Sequence, residues 1–523
     1  MDLDLSTATL GDVLRQTAAR VPDQPALLSE QGTWSWSALD REVDRVAARL
    51  QEAGVSPGQA VGFMINKRAE VVIGFLAVAR VGAIVAPVNF KLHAEQLVDQ
   101  FATAHIRTVL VQAEFDDLLF HLLPFIVDRK RLIYVGGPGR HEGQVWEGEA
   151  TAPPAVAAPI LADDACYYNY TSGTTGRPKG AVTTHRQILE NAAATITSLG
   201  FRDEDVFLGM FSVFAHPHEL FHRSLLTGGA FAILDSLSPR VIAQAVERYR
   251  VSWMMAVPSF YEMMLDYVAP RGSGERAPHL ADVSSLRVLE SGGAYVSAET
   301  LARMESAFGC LFLPVWGCTE ASGVALANGP DHRVPGATGR LVDGYEMCVV
   351  GLDGQDLPVG EVGELLVRGP AVVERYVNAP DESSRHFIDG WYHTADLVRL
   401  DAQGFVHFAG RRSEMLKIGG IRVYPLEIEV VLKEHPEVVE AVVVRAEDRL
   451  RGEVARAVIA TVPGSALSGR DAQAWCRDRL AGYKVPRLIE FWSEVPKLPN
   501  GKVDKKAVLA VAADPDRDDR KAR

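Results

Sequence analysis

The chain has 523 residues, a formal net charge of −13 and a hydrophobic fraction of 47%, which indicate a globular protein of two or more domains. The acidic balance argues against nucleic acid or an anionic membrane as the main partner, while leaving room for a local basic pocket. The five cysteines are scattered and form no C-x-x-C pair, which favours a reducing cytoplasm over a disulfide framework or a zinc knuckle. The amino terminus, MDLDLSTATL, lacks the basic start and apolar run of a signal peptide.

From about residue 60 to residue 320, short apolar runs alternate with stretches of helical periodicity. The most apolar segment, residues 71–88, contains Arg80 and predicts a buried helix running into a strand, not a membrane span. The predicted strands are residues 61–65, 108–112, 131–135, 231–235, 253–257, 286–290 and 311–315, with a helix at 238–250 between two of them. This alternation predicts an α/β fold of mainly parallel sheets covered by helices.

Beyond about residue 335 the sequence changes character, with strands joined by Gly- and Asp-rich turns. The predicted elements are strands at 360–369, 404–411, 440–446 and 456–462 and helices at 425–436 and 471–483. The proline at each end of the first helix bounds it, and Asp471 would open the second. We expect a domain boundary near residues 411–415.

The segment YNYTSGTTGRPKG, residues 168–180, is polar and glycine-rich, and it lies between a predicted strand and a predicted helix. It is not a P-loop, because Lys179 follows Pro178 and precedes Gly180, whereas the P-loop lysine follows glycine and precedes Ser or Thr. Hydroxyls and backbone N–H groups in such a loop can wrap a polyphosphate, with Lys179 as a point charge. The candidate phosphate ligands are Thr171, Ser172, Gly173, Thr174, Thr175 and Gly176. The alternative is a solvated linker.

Six motifs follow one another along the chain: TSGTTGRPKG (171–180), SGGA (291–294), WGCTE (316–320), YHTAD (392–396), GRRSEMLKIGG with PLEIE (410–429) and LPNGKVDKKAV (498–508). Together they resemble the adenylate-forming superfamily of acyl-CoA synthetases, luciferases and nonribosomal-peptide adenylation domains, over essentially the whole chain. Ala395 stands where that family usually has glycine. The resemblance implies a large N-terminal domain, residues 1–412, of stacked mainly parallel sheets with helices plus a distorted β-barrel. A small mobile α+β C-terminal domain, residues 413–523, would follow.

The resemblance implies a site where a carboxylate attacks the α-phosphate of ATP, so that the site must neutralise two approaching anions. It implies that Glu320 and Thr175 help to hold Mg²⁺, that Thr319 contacts the α-phosphate and that Trp316 stacks on adenine. Other residues implied to bind the nucleotide are Lys179, Gly293, Ala294 and, at the ribose, Asp396 and Arg411. The plain alternatives are solvated charges for the ionic residues and core packing for the tryptophan.

The C-terminal motifs are implied to act in turn. Lys502 would bridge the substrate carboxylate and the α-phosphate during adenylation. Gly419 and Gly420 would leave room for the pantetheine arm of CoA in the second step. The domain would rotate between the steps about Ser413, where relatives usually have Asp or Lys.

The acyl group is not predicted, because its pocket is built from dispersed residues and one substitution can resize it. Phe214 or His216 is expected near the substrate carboxylate. The other candidate pocket residues are Gly293, Val315, Gly317 and Val324.

Residues 218–222, HELFH, match the H-E-x-x-H zinc motif, with Glu219 as the base and both histidines on one helix face. The metzincin extension of this motif does not follow, because Leu225 stands where its glycine would be. There is also no acidic residue about twenty positions further on, where Ile242 stands. The five-residue match keeps a zinc hydrolase as the alternative from a different class of protein, while Leu225 and Ile242 argue against it.

The sequence predicts an AMP-forming acyl-CoA synthetase that converts a carboxylate and ATP to acyl-AMP and pyrophosphate, and then transfers the acyl group to CoA. The expected cofactors are ATP, Mg²⁺ and coenzyme A, and the expected partner is a small carboxylic acid, with no nucleic acid and no membrane span. The chain would be a cytoplasmic monomer or homodimer. Three alternatives stay open: a carrier protein as acceptor, another oxyanion such as nitrite as substrate, and a nonenzymatic ATP-binding protein.

Overall fold

The computed structural model of the protein describes residues 4–66, 68–147, 159–171, 179–210, 213–214, 216–236, 238–268, 280–448, 452–497, 503–514 and 517–519. The chain divides into two compact units, residues 1–347 with 367–392 and residues 348–366 with 393–523. Among the described residues we find no helix that has both the length and the apolar character needed to cross a membrane.

The α-helices of the described residues are α1 (Leu10–Arg20), α2 (Trp36–Glu52), α3 (Ala69–Arg80), α4 (Ala94–Thr103), α5 (Asp116–Leu119), α6 (His185–Leu199), α7 (His222–Thr227), α8 (Pro239–Tyr249), α9 (Pro258–Met264), α10 (Ala298–Phe308), α11 (Pro380–His386), α12 (Pro425–Lys433), α13 (Gly469–Arg477) and α14 (Lys505–Ala510). Short 3₁₀ helices cover Ala113–Phe115, Leu123–Phe125, Arg129–Arg131, Pro217–Leu220, Leu265–Tyr267, Thr319–Ala321 and Gly482–Lys484.

The β-strands of the same residues are β1 (Pro25–Ser29), β2 (Gly32–Ser35), β3 (Ala60–Met64), β4 (Ile84–Pro87), β5 (Thr108–Gln112), β6 (Leu132–Val135), β7 (Gln144–Val145), β8 (Ala165–Thr171), β9 (Lys179–Thr184), β10 (Val206–Gly209), β11 (Ala230–Ala232), β12 (Trp253–Ala256), β13 (Val288–Ser291), β14 (Leu311–Cys318), β15 (Gly323–Ala327), β16 (Arg340–Leu341), β17 (Glu346–Val350), β18 (Val362–Arg368), β19 (Phe387–Ile388), β20 (Trp391–Leu400), β21 (Val406–Arg411), β22 (Leu416–Ile418), β23 (Ile421–Val423), β24 (Val438–Asp448), β25 (Gly452–Thr461) and β26 (Leu488–Phe491).

The first unit contains two large sheets. One has the strand order β16-β15-β14-β13-β12-β10-β11-β1-β2, and the other has the order β7-β6-β5-β3-β4-β8-β9. Pairs in the middle of each sheet are parallel, while antiparallel pairs stand towards the edges, as in β1–β2, β14–β15 and β8–β9. The prediction of mainly parallel sheets covered by helices is therefore confirmed.

The apolar segment at residues 71–88 forms the buried α3 and then β4, as predicted. Its one charged side chain, Arg80, is buried because it is paired: its guanidinium lies 2.6 Å from a carboxylate oxygen of Asp40 and 2.7 Å from one of Asp44. A buried cation that keeps such partners does not need to reach water. The segment is thus a core helix of the first unit.

The second unit contains a five-stranded sheet in the order β23-β22-β25-β24, with β26 beside β25, against which α12 and α13 pack. The predicted start of α13 is wrong: Ser468 is the N-cap, and Asp471 is the third helical residue. The Ser468 hydroxyl accepts a hydrogen bond from the Asp471 N–H at 3.2 Å, and the Asp471 carboxylate accepts one from the Ser468 N–H at 3.3 Å. This reciprocal capping box, rather than an aspartate cap, opens the helix.

A further five-stranded sheet has the order β17-β18-β20-β19, with β21 beside β20. The division between the two units passes through β17, β18 and β20, because each of these strands contributes residues to both units. This partial barrel corresponds to the distorted β-barrel that the resemblance implied.

Candidate active site

The glycine-rich segment at residues 171–180 connects the two strands of a hairpin. β8 and β9 are antiparallel, and Thr171 is paired with Lys179. The helix predicted after the segment is present as α6, and the strand β9 lies between the segment and this helix. Ser172, Gly173, Thr174, Thr175 and Gly176 lie outside the described residues, as does the side chain of Thr171.

Lys179 begins β9 and points its ammonium group into a small ionic and aromatic cluster. It forms an ion pair with Glu382 of α11. Its Nζ also lies 5.6 Å from the ring centroid of Tyr376. The side-chain pair is only 13% exposed at the lysine and 26% at the glutamate, so it is partly shielded from water.

The WGCTE motif lies where β14 ends. This strand continues to Cys318, further than predicted, so that Trp316 and Gly317 are strand residues and Glu320 follows in a 3₁₀ turn. Gly317 is required by packing: a Cβ at this position would lie 2.3 Å from the carbonyl oxygen of Gly323 on the neighbouring β15. The motif therefore places Glu320 directly after a strand of the large sheet, where ligands bind in open α/β sheets.

The Glu320 carboxylate is buried and fixed by one tyrosine. The Tyr376 hydroxyl donates a hydrogen bond to Glu320 Oε1 at 2.6 Å, and the Val373 N–H donates to the Glu320 carbonyl at 2.8 Å. Burial, and then the neighbouring Glu320, raise the pKa of Tyr376, so the hydroxyl keeps its proton. Two segments far apart in sequence thus meet at this carboxylate.

His216 joins the same cluster from another direction. Its Nε2 lies 3.4 Å from the Thr319 hydroxyl, and its Nδ1 lies 3.3 Å from Asn169 Nδ2. Its backbone is left-handed, with φ 57°, which turns the chain into the 3₁₀ helix that follows. The structure therefore brings His216 to Thr319, the residue that precedes Glu320 in the 3₁₀ turn after β14.

Phe214 lies in an aromatic cluster that the sequence did not indicate. Phe90 stacks on Phe115 with ring centroids 4.4 Å apart and meets Phe214 edge-on at 5.5 Å. All three rings are half-buried. Of the other candidate pocket residues, Val315 and Val324 are buried in the core, and Gly293 follows β13 with a φ of 83°.

Asp396 and Arg411 lie opposite each other in the second unit, as partners on β20 and β21. Asp396 Oδ1 and Arg411 Nε are 2.9 Å apart and form an ion pair. Ala395, where the family usually has glycine, has a φ of 59°, which an L side chain rarely adopts. Glu364 accepts a hydrogen bond from the Ala395 N–H at 3.0 Å and so helps to hold this conformation.

Gly419 and Gly420 form the two-residue turn between β22 and β23. Both have positive φ, 58° and 83°, as a tight hairpin turn requires. A Cβ on either would meet nothing within 4 Å, so the space beside them is open. The Ser413 carbonyl accepts a hydrogen bond from Arg445 at 2.8 Å. Lys502 lies outside the described residues.

The HELFH segment does not form the helix of a zinc hydrolase. Residues 217–220 are a 3₁₀ helix opened by Pro217, and α7 begins only at His222. The potential ligand atoms of His216, His218 and Glu219 lie within 4.8 Å of one another, but His222 is not part of that group. The two histidines of the motif therefore do not share one helix face.

Burial controls the ionisation of this segment. It raises the pKa of Glu219 to about 8, against the opposing effect of Arg223, and lowers the pKa of His218 to about 4. Both side chains are therefore neutral at neutral pH. The neighbouring charge, Arg223, is buried in α7 and paired with Glu290 of β13.

We predict that Glu219→Gln changes how stability depends on pH. Because the folded protein binds the Glu219 proton more tightly than the unfolded chain, the wild type should lose stability as pH rises from about 4.5 to about 8. The free energy of unfolding of the variant, relative to wild type, should therefore rise over that interval in urea titrations. The control is Glu299→Gln at an exposed position, for which the free energy of unfolding relative to wild type should not change between pH 5 and pH 8. If the same quantity for Glu219→Gln were also constant over this range, the buried, neutral carboxyl would be refuted.

The parallel sheets and the β8–β9 hairpin agree with the fold expected of an adenylate-forming enzyme. Residues 14–377 match the family model for the AMP-binding enzyme, and residues 427–502 match that for the AMP-binding enzyme C-terminal domain. The chain belongs to the AMP-binding enzyme family.

Similar proteins cover nearly the whole chain. A feruloyl-CoA synthase of an Amycolatopsis species is 31% identical over 93% of this chain and 95% of its own. A fatty acid–[acyl-carrier-protein] ligase, ScoC of Streptomyces coeruleorubidus, is 29% identical over 93% of each chain. The crystal structure of the anthranilate CoA ligase AuaEII with anthranoyl-AMP superposes with a TM-score of 0.87 at 26% identity, over 97% of this chain and 98% of that one. The protein is an AMP-forming acyl-CoA ligase, as predicted, that uses ATP, CoA and a carboxylic acid.

Proposed function

We propose that the protein activates its acid at the cluster of His216, Thr319 and Glu320, and then passes the acyl group to CoA. The observation that supports this proposal is the 3.4 Å contact between His216 Nε2 and the Thr319 hydroxyl, in the turn after β14 that also carries Glu320. In open α/β sheets, ligands bind beyond the carboxyl ends of the strands. A substrate carboxylate beside His216 would lie next to Thr319 and so next to the α-phosphate that this hydroxyl would contact. Attack then gives acyl-AMP and pyrophosphate.

The oxygen ligands of this cluster fit Mg²⁺. Glu320 is a carboxylate with one oxygen held by Tyr376, and magnesium sites typically combine one or two carboxylates with phosphate oxygens and water. We propose that Glu320, with Thr175, holds the ion. When bound, Mg²⁺ would neutralise the negative charge that develops on the phosphates.

Nucleotide binding is proposed for residues of both units. In the first unit, Trp316, Gly293 and Ala294 are proposed to hold adenine, and Thr171, Ser172, Gly173, Thr174, Thr175, Gly176 and Lys179 to hold phosphate oxygens. In the second unit, Asp396 and Arg411 are proposed to hold the ribose. The Asp396 carboxylate is buried beside the Arg411 guanidinium, and a carboxylate has two oxygens that can accept hydrogen bonds from ribose hydroxyls.

We propose a bulky, aromatic acid as the substrate. The half-buried rings of Phe90, Phe115 and Phe214 offer edges and faces of the kind that aromatic groups pack against. Phe214 is two residues from His216 in the sequence. Feruloyl-CoA synthase and the anthranilate CoA ligase, both similar to this chain, act on aromatic acids by their names. Gly317, Val315 and Val324 would line the remainder of the pocket.

A screen of carboxylic acids by ATP–pyrophosphate exchange tests this proposal. We expect exchange that depends on the acid, with aryl acids such as benzoates and cinnamates ahead of acetate and of long aliphatic acids. Exchange with none of these acids would contradict the activation step, and a preference for long aliphatic acids would contradict the aromatic pocket. Exchange with nitrite alone would favour activation of another oxyanion.

The acceptor is tested separately. Besides CoA, we propose a carrier protein as the second candidate acceptor, because the chain is similar to ScoC, which is named for an acyl-carrier-protein. Supplied acyl-AMP should be consumed with free CoA at a rate comparable to the overall reaction. A rate that becomes appreciable only with a phosphopantetheinylated carrier would favour the second candidate.

We propose that residues 413–523 rotate as a domain about Ser413 between the two steps. The proposed boundary would lie just after β21, which ends at Arg411, and the residues that follow would present Lys502 in the first step and the Gly420 turn in the second. We also propose that the enzyme is cytoplasmic, which the absence of disulfides among the described cysteines supports, and that it is a monomer or homodimer.

We predict that Gly420→Leu impairs thioester formation more than adenylation. The open space beside Gly420 would be filled by the leucine, which would block the pantetheine arm. Thioester formation from supplied acyl-AMP should fall about 10- to 100-fold, comparable to the cost of misplacing a reactant, while pyrophosphate exchange changes little. Gly420→Ala is the matched control, since it imposes the same strain at a φ of 83° with little added bulk. Normal CoA transfer by Gly420→Leu would contradict the proposal that the pantetheine arm passes beside Gly420.

A further inference from the structure

Tyr376 lies at the centre of the first unit's candidate site, although none of the sequence motifs contains it. It stands between β18 and α11 and is 4% exposed. Its hydroxyl donates to Glu320 Oε1 at 2.6 Å. Its ring packs against Phe387 with centroids 5.3 Å apart and meets His386 edge-on at 6.0 Å. The side chain is therefore held in place from several sides.

The backbone of Tyr376 is joined to the strand that carries Lys179. Ala181 and Tyr376 form an antiparallel bridge, and the Val377 N–H donates to the Gly180 carbonyl at 2.7 Å. The Lys179 ammonium group lies over the Tyr376 ring while it pairs with Glu382. One residue thus contacts both the end of the glycine-rich segment and the carboxylate proposed to bind the metal.

The Tyr376 hydroxyl binds one oxygen of the Glu320 carboxylate, Oε1, and leaves the other oxygen, Oε2, for a ligand. Among the described residues, Tyr376 makes the one side-chain hydrogen bond to this carboxylate. The terminal torsion of a glutamate is soft, so without that bond the carboxylate plane can turn. Hydrogen bonds of this kind orient a metal-binding side chain, and their loss typically weakens metal binding about 10- to 100-fold.

We propose that Tyr376 is a positioning residue for adenylation: its hydroxyl orients Glu320 so that the second carboxylate oxygen is available to the nucleotide-bound cation. Its ring holds Lys179 on the same side of the site. This inference rests on the proposed role of Glu320 and extends it to a residue that touches neither substrate nor metal.

Calorimetry of ATP binding to the whole chain tests the proposal. The affinity is measured with and without Mg²⁺, and no carboxylic acid is present, so that the enzyme does not turn over. In the wild type, Mg²⁺ should tighten ATP binding. In Tyr376→Phe, which keeps the ring, that gain should shrink about 10-fold, while metal-free binding stays within about twofold. Tyr261→Phe is the control, since it also removes a buried hydroxyl, one that donates to the carbonyls of Met254 and Glu290, and should leave the gain intact.

A second pair of variants guards against a general loss of structure. Glu320→Gln alone should abolish most of the gain from Mg²⁺, and adding Tyr376→Phe to it should change nothing further, because the two residues act as one unit. Additive losses, or a wild-type gain in Tyr376→Phe, would overturn the proposal. Absence of acid-dependent pyrophosphate exchange in the wild type would instead overturn the proposed function, so the two failures are distinguishable.

Discussion

Replacing Lys502 with alanine is expected to slow acyl-adenylate formation about 100- to 1,000-fold, the usual cost of removing one group that stabilises developing charge. The substrate carboxylate and the α-phosphate are both anions, so the ammonium group between them would lower the barrier to their approach. Thioester formation from supplied acyl-AMP should fall less than about threefold, because the lysine would have left the site by then. Single-turnover assays of the two half-reactions measure the two effects separately.

Lys506→Ala is the matched control, since it removes an exposed lysine of the same C-terminal segment. It should leave both half-reactions near the wild-type rates. Equal losses in both half-reactions for Lys502→Ala would contradict the alternation of the C-terminal domain. Loss in the second step alone would assign the lysine to thioester transfer instead.

Arg223→Met is expected to lower the free energy of unfolding by about 3–5 kcal/mol, because it leaves a buried carboxylate without its cation. Arg223 and Glu290 are 2% and 0% exposed, and two hydrogen bonds of 2.5 Å and 2.9 Å join them. The indole N–H of Trp253 also donates to Glu290, at 2.8 Å, but it does not supply a positive charge. Denaturant titration at constant pH measures the loss.

The half-exposed pair of Arg303 and Glu262 provides the control. Its side chains are 54% and 45% exposed, so Arg303→Met should cost less than about 1 kcal/mol. The double variant Arg223→Met with Glu290→Leu should be more stable than Arg223→Met alone, since it removes the unpaired charge as well. A loss below about 1 kcal/mol for Arg223→Met would show that the buried carboxylate finds another partner or takes up a proton.

Local patterns were sufficient for the parallel core of the first unit. Apolar runs such as residues 108–112 and 253–257 became β5 and β12, and the helical spacing at 238–250 became α8. These elements are predictable because the apolar periodicity of each one lies within a short stretch of consecutive residues. Their ends were less predictable: β14 continues past Val315 because its pairing with β15 extends to Cys318.

The site was predictable only as far as its motifs reach. Glu320 and Thr319 belong to the WGCTE motif, but Tyr376 and Phe90 come from distant segments. Nothing local marks an ordinary tyrosine or phenylalanine as part of a site. Such contacts arise from tertiary packing, which single-sequence patterns do not encode.

The HELFH segment is the reverse case: its sequence matches a zinc motif, but its backbone does not form the helix that the motif requires. The motif needs a continuous helix to place both histidines on one face. Pro217 instead opens a 3₁₀ turn that ends before His222, and the bonds of Arg223 to Glu290 hold α7 against the sheet. Five residues specify a zinc site only where the backbone around them is helical.

The central claim is that the acid is activated as an acyl-adenylate. The most direct test supplies an aryl acid labelled with ¹⁸O in its carboxylate, together with ATP, Mg²⁺ and CoA, and analyses the products by mass spectrometry. Attack on the α-phosphate followed by cleavage of the acyl–oxygen bond predicts one ¹⁸O atom in each AMP released with the thioester. Label in inorganic phosphate, or AMP that carries none, would contradict the account.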